Sequence, residues 1–153
     1  MIGPQPAQML IGNTTVGSES FQVYFPLAVT FNVSLSIATA DFDGDGNMDL
    51  AVTEYFAGAV VIVYGAGDGT FPSNATYTVG LSPEELAVGD FDGINGPDIV
   101  VANYDDNFAT IMLNDGAGGF TTSSLPLPDF YAYRIAIGDL DGVNGPDIIF
   151  AHI

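Results

Sequence analysis

The sequence predicts an all-β protein made of propeller-type blades, each of four antiparallel strands, repeating every 49 residues. Three observations predict it. The run Asp41-Phe42-Asp43-Gly44-Asp45-Gly46-Asn47-Met48-Asp49 returns as Asp90-Phe91-Asp92-Gly93-Ile94-Asn95-Gly96-Pro97-Asp98 and as Asp139-Leu140-Asp141-Gly142-Val143-Asn144-Gly145-Pro146-Asp147. Asp41 to Asp90 is 49 residues and Asp90 to Asp139 is 49 again, a fixed period that marks one copied supersecondary unit. Between the copies lie short β-branched-rich stretches broken by glycine turns, with no segment of helical period.

The elements follow in order within each unit. A short alternating strand precedes the acidic loop, at 34–38, 85–88 and 134–137. Its small residues (Ser34, Ser36, Ala38; Ala87, Gly89; Ala136, Gly138) suit an innermost strand, where blades crowd together. After the loop comes a continuously apolar second strand, at 50–52, 99–102 and 148–151. A third strand follows at 59–64 and 109–113. A glycine-rich turn ending in Phe71 or Phe120 leads to a weaker fourth strand near 75–79 and 121–125. Four antiparallel strands in a repeat of about 40 to 50 residues is a propeller blade. An up-and-down barrel or a sandwich of hairpins is the alternative, but neither requires a nine-residue loop copied with its acids in place.

The chain reads as one repeat domain over 1–153. Residues 9–31 line up with strands three and four of a preceding unit, Phe21 matching Phe71 and Phe120. Complete blades span 34–80 and 85–126, and 134–153 reads as the first two strands of a last unit. Half a blade at each end leaves open strand edges, which invite pairing. The expected partners are other copies of the chain, joined head to tail as a ring or filament, or further blades of a longer chain.

Composition narrows the function. The chain has 48% hydrophobic and 13% charged residues, so it can build a core despite a net charge of -18. Nineteen acids face one cation, Arg134, and ten of the nineteen lie in the three repeated loops. No basic patch can form, which excludes nucleic acid and anionic lipid as partners. Cysteine is absent, so disulfide and thiolate chemistry are too. Met1–Pro6 carries no basic region and no long apolar run; neither a signal peptide nor membrane insertion is expected within these residues. Sequons at Asn13, Asn32 and Asn74 hint at an extracellular setting and at glycosylation there.

The loops are candidate metal sites. In the first, acids at positions one, three, five and nine (Asp41, Asp43, Asp45, Asp49) alternate around Gly44 and Gly46, so their carboxylates can converge. The main-chain carbonyl of Asn47 at position seven can add an oxygen. Five or six oxygens carrying several charges suit Ca²⁺ better than Mg²⁺, which keeps its waters. With no cysteine and only His152, zinc and copper are disfavoured. Aspartate and glycine also serve metal-free turns, through side-chain bonds to loop amides.

The run from Asp41 to Leu50, with Gly67-Asp68-Gly69-Thr70-Phe71 downstream, resembles the FG-GAP/VCBS repeat, and the resemblance covers roughly 34–151. That family includes the propeller head of integrin α subunits and many secreted microbial proteins. The resemblance implies a propeller holding Ca²⁺ in the hairpin loop between the first two strands of a blade, used for adhesion, ligand binding or scaffolding. It carries over to Asp41, Asp43, Asp45, the carbonyl of Asn47, and Asp49. Loops two and three depart from the pattern. Ile94 and Val143 offer no side-chain oxygen at position five, and Asn95 and Asn144 stand at position six. Asp90, Asp92 and Asp98, and likewise Asp139, Asp141 and Asp147, remain as weaker candidate calcium ligands, with Pro97 and Pro146 stiffening each loop.

No catalytic constellation emerges. Acids outside the loops, among them Glu54, Glu84, Glu85, Asp105, Asp106, Asp115 and Asp129, form no recognisable pair for glycoside cleavage. There is no Gly-x-Ser-x-Gly elbow or cysteine nucleophile, and His152 reads as a strand residue. A non-enzyme is expected; the rival is part of a secreted polysaccharide-degrading enzyme whose acids lie in these loops. Tyr104, Phe130, Tyr131 and Tyr133 are candidates for a contact surface toward a protein or glycan ligand.

Overall fold

Strand formation follows the β-branched runs. The structure, a computed structural model, describes residues 11–13, 22–24, 33–128, 131–143 and 145–152. Twelve strands and no helix occur among them: β1 (Ile11–Asn13), β2 (Gln22–Tyr24), β3 (Ile37–Ala40), β4 (Asp49–Glu54), β5 (Ala59–Tyr64), β6 (Ser73–Thr78), β7 (Pro83–Gly89), β8 (Asp98–Asn103), β9 (Phe108–Asn114), β10 (Phe120–Pro126), β11 (Ala132–Gly138) and β12 (Asp147–His152). Phe21, Asn32, Phe130 and Asn144, named above, lie outside the described residues, as does most of 9–31.

The sheets are antiparallel and ordered as in the chain. β3-β4-β5-β6 and β7-β8-β9-β10 are four-stranded, while β1-β2 and β11-β12 are pairs. The protein is therefore all-β and blade-like, and the described sheets do not close into a ring. The pair β1–β2 joins Asn13 to Gln22, the same nine-residue step by which β5–β6 joins Tyr64 to Ser73.

Burial follows strand order. The second strands, β4 and β8, are buried at every residue, as their continuous apolar character requires, while the outer strand β10 is exposed along nearly its whole length. Two blades meet through one core of Phe42, Ala51, Val60 and Ile62 on one side and Leu86, Ile99, Val101 and Met112 on the other. Phe120 fills its edge, with ring centroids 5.6 Å from Phe42 and 5.5 Å from Tyr77, in edge-to-face contacts. Leu50, Val52, Val61 and Val63 form a second cluster on the other face of the first blade, with Phe71 against it. Phe71 and Phe120 thus hold equivalent places in the repeat but different cores.

The first strand differs in detail from its sequence reading at 34–38: β3 begins at Ile37 and runs on to Ala40. The amides of Leu35 and Ser36 donate to Thr53 Oγ1 at 3.3 and 3.0 Å, and these side-chain bonds add to the backbone bond from Thr53 N to Ser36 O at 3.0 Å. At the other end Ala40 pairs with Asp49, which brings the strand up to the acidic loop.

Candidate metal centre

Each acidic loop is the hairpin between the first and second strands of its sheet, and each draws three carboxylates together. One oxygen from each of Asp41, Asp43 and Asp49 lies within 4.8 Å of the others; Asp90, Asp92 and Asp98 repeat this, as do Asp139, Asp141 and Asp147. Three like charges so close repel one another unless a cation or hydrogen-bond donors hold them. Donors are present in every loop.

The position-one acid organises the turn. Asp41 Oδ1 accepts the amide hydrogens of Gly44 at 2.8 Å and Asp45 at 3.1 Å, and Oδ2 accepts that of Gly46 at 2.9 Å. Asp90 and Asp139 take the equivalent amides of Gly93 and Gly142 at 2.7 and 2.6 Å. The third residue after each of these acids is a glycine because φ there is +73° to +75°, a left-handed value that a Cβ penalises. At position three, Asp43, Asp92 and Asp141 accept from the amide two residues on.

The position-nine acid ties the loop to the sheet. Asp49 is fully buried; Oδ2 accepts from Phe42 N and Oδ1 from Gly65 N, both at 2.8 Å. Asp98, also fully buried, accepts from Phe91 N and Asn114 N at the same distance. Asp147 keeps the first of these bonds, from Leu140 N at 2.8 Å.

Asp45 departs from the expected convergence. Its carboxylate turns along the loop to Asn47, accepting from the main-chain amide at 2.7 Å and the side-chain Nδ2 at 2.8 Å. It is not among the three acids that meet, because Asn47 offers it two donors within two residues. Asn47 in turn packs against the β5–β6 turn, where a Cβ on Gly67 would stand 2.1 Å from its Oδ1. The bonds to Asn47 hold the Asp45 carboxyl below the usual aspartate range. Asp43 is raised, by desolvation first and then by the charges of Asp49, Asp45 and Asp41.

Enclosure falls from loop to loop. Loop one is covered by the next blade: Asn114 Nδ2 donates to Phe42 O at 2.9 Å, and a Cβ on Gly118 would lie 3.0 Å from Asp43 Cβ. Tyr64 and Tyr77 hydroxyls both donate to Gly118 O, and burial followed by the nearby Tyr77 pushes the Tyr64 phenol well up. Asp41 and Asp43 are half-buried, whereas Asp90, Asp92, Asp139 and Asp141 are exposed. The blade after loop two has only the pair β11–β12 among the described residues, so the turn that covers loop one has no described counterpart there.

Sequence reasoning missed Asn114 and the conformational role of Asn95. Asn114 also donates to Pro97 O at 3.0 Å, bridging both loops; its position, Gly65 plus 49, was the available signal. Asn95 has φ +63°, a left-handed value that asparagine tolerates better than most residues. The remaining candidates fall outside the metal loops. Tyr104 packs against Tyr131 in a tilted contact and Tyr133 edge-to-face, with ring centroids 5.0 and 6.3 Å apart, and Arg134 lies 3.8 Å above the Tyr133 ring. His152 pairs with Ala132 in the β11–β12 ladder.

The donor set fits calcium. Oxygens no more than 4.8 Å apart can surround an ion at bonding distances of about 2.4 Å. All three donors in each loop are carboxylates, with neither sulfur nor imidazole among them, which suits a hard cation. A search of curated proteins found no match to the chain. The family model of the FG-GAP-like repeat matches residues 41–93, which is one 49-residue period plus the first four positions of the second loop. Residues 41–93 are thus similar to an FG-GAP-like repeat, in a match that starts with the first acidic loop and ends four residues into the second.

Proposed function

We propose that this protein is an extracellular calcium-binding repeat module that serves adhesion, ligand binding or scaffolding and performs no catalysis. The observation that carries the reading is the three-carboxylate cluster recurring at one place in three successive repeats. Asp41, Asp43 and Asp49 would hold the first ion, with the Asn47 carbonyl as a further oxygen and the Asp45 charge close by; the second and third clusters would hold theirs more weakly. The ion's part is to cancel the repulsion within each hairpin and stiffen it. Asn74, exposed on β6 within its sequon, supports the extracellular setting. No helix among the described residues is long and apolar enough to cross a membrane.

Calorimetric melting in EDTA and then in excess Ca²⁺ tests the reading. Binding only to the folded state adds about 2.7 kcal/mol at a free ion concentration a hundred times Kd, so the melting temperature should rise by several degrees. A melting temperature that neither treatment moves refutes the metal. A depolymerisation screen on polysaccharides tests the enzyme alternative, which turnover would establish.

The pair β11–β12 leaves a strand edge that further strands could fill. In the complete sheets a second strand always pairs with a third, whereas β12 pairs only with β11 among the described residues. We propose that further strands, from another copy of the chain or from further blades of a longer one, pair beside β12.

A further inference from the structure

One residue of the second blade is bonded to both of the first two acidic loops. Asn114 is 4% exposed, and both ends of its carboxamide are used. Nδ2 donates to Phe42 O at 2.9 Å and to Pro97 O at 3.0 Å, and Oδ1 accepts from Gly116 N at 2.7 Å. Two carbonyls on one side and an N–H on the other fix which end of the group is which, since only the NH2 donates. The main-chain amide of Asn114 donates to Asp98 Oδ1 at 2.8 Å. Phe42 lies between Asp41 and Asp43, two acids of the first cluster, and Asp98 is an acid of the second.

The turn that follows Asn114 touches the same two loops. A Cβ on Gly44, in loop one, would lie 3.5 Å from Gly116 O, and a Cβ on Gly116 would lie 3.2 Å from Asn95 Cβ, in loop two. Gly65 holds the place of Asn114 in the first blade, 49 residues earlier, and makes the same main-chain bond, to Asp49 Oδ1 at 2.8 Å. A Cβ there would collide with Met48 O, so that position carries no side chain to reach a neighbouring loop. Among the described residues, only loops one and two are joined by such a bridge.

We infer that Asn114 couples the calcium sites of loops one and two, so that filling either site raises the affinity of the other. The inference rests on the calcium reading proposed above. With Asp41 and Asp43 drawn onto one cation, the Phe42 carbonyl between them is fixed, and with it the carboxamide that donates to it. Asn114 N then stays aimed at Asp98 Oδ1, so the second cluster is ordered before it takes its own cation. Ordering that serves two sites at once is positive coupling, and by linkage it runs equally in both directions. Charge acts in the opposite sense, because neutralising one cluster removes part of the negative field that draws a cation to the other. That field is screened over about 8 Å at physiological salt, whereas the bonds through Asn114 are buried and direct.

Heteronuclear NMR of the full chain, titrated with Ca²⁺ at physiological salt, reads the two loops separately. The amides of Gly44 and Gly93 report them, each bonded to the first acid of its own loop. Wild type is compared with Asp92→Asn, which weakens the second site at an exposed ligand, with Asn114→Gly, and with the double variant. Asn114→Gly keeps the main-chain bond and removes the bridge, as Gly65 does in the first blade. In the wild-type background Asp92→Asn should raise the Ca²⁺ midpoint at Gly44 by about fivefold or more. In the Asn114→Gly background it should raise it by less than about twofold, and the part due to charge alone is common to both backgrounds and cancels. Equal shifts in the two backgrounds, or no shift at Gly44 in the first, overturn the coupling and leave calcium binding standing. Glycine amides that ignore Ca²⁺ in wild type overturn the calcium reading together with this inference. Should Asn114→Gly fail to fold, Asp92→Asn alone decides, since a Gly44 midpoint that it leaves unmoved overturns the coupling.

Discussion

At the residue scale, Asp43 carries the conflict on which the metal reading turns. Its carboxyl is raised by desolvation and by three neighbouring acids. An acid with a raised folded-state pKa destabilises the fold when ionised, and that penalty disappears as pH falls through the raised value toward the ordinary one, about 3.9. In chelator, Asp43→Asn should therefore leave the melting temperature unchanged or higher at neutral pH, since the amide oxygen can still accept from Asp45 N. In Ca²⁺ the same change should lower it and weaken binding by about tenfold or more, because a charged ligand is gone. Melting of both proteins under both conditions checks the inversion of sign; a metal-free turn would show none. Calcium affinity should begin to fall, as pH drops, above the range of an ordinary aspartate, as a titration at several pH values would show. Asp45 works in the opposite direction. Its lowered value gives stability that is present above the unfolded pKa and lost as pH falls through the folded one.

At the element scale, each hairpin depends on struts from outside itself. Asn114 ends β9 yet bonds to Phe42 O in the first loop and Pro97 O in the second. Asn114→Ala would strip donors from two carbonyls in a nearly closed site. It should cost about 1–3 kcal/mol, read as a fall in melting temperature at roughly 2–4 °C per kcal/mol. Loops one and two differ at position five, where Ile94 is exposed. Ile94→Asp therefore removes no core packing and restores the acid that Asp45 supplies in loop one. Calcium affinity at the second loop should rise, and isothermal titration with Ca²⁺ would measure it. An unchanged affinity would assign the weakness of that loop to its lack of cover instead.

At the scale of the whole molecule, nineteen acids against one basic residue make charge the main threat to the fold. In chelator, raising NaCl from low concentration to about 0.5 M should raise the melting temperature, because the screening length shortens to a few ångströms. The effect should shrink in saturating Ca²⁺, where the densest clusters are already neutralised, and a matched series of melts in the two buffers checks this. The sequence by itself determined the all-β class, the period and the three acidic hairpins, because alternation, glycine placement and loop acids are local patterns that need no neighbours. It also marked Asp41, Asp43 and Asp49 and their copies. Three things were decided only by the tertiary structure. Asp45 turns to Asn47, a choice between competing donors that spacing does not reveal. Asn114 bridges two loops, although it lies 72 residues from Phe42. The cover over the acids falls from loop one to loops two and three even though the motif persists, because enclosure comes from the blade that follows and not from the loop's own residues.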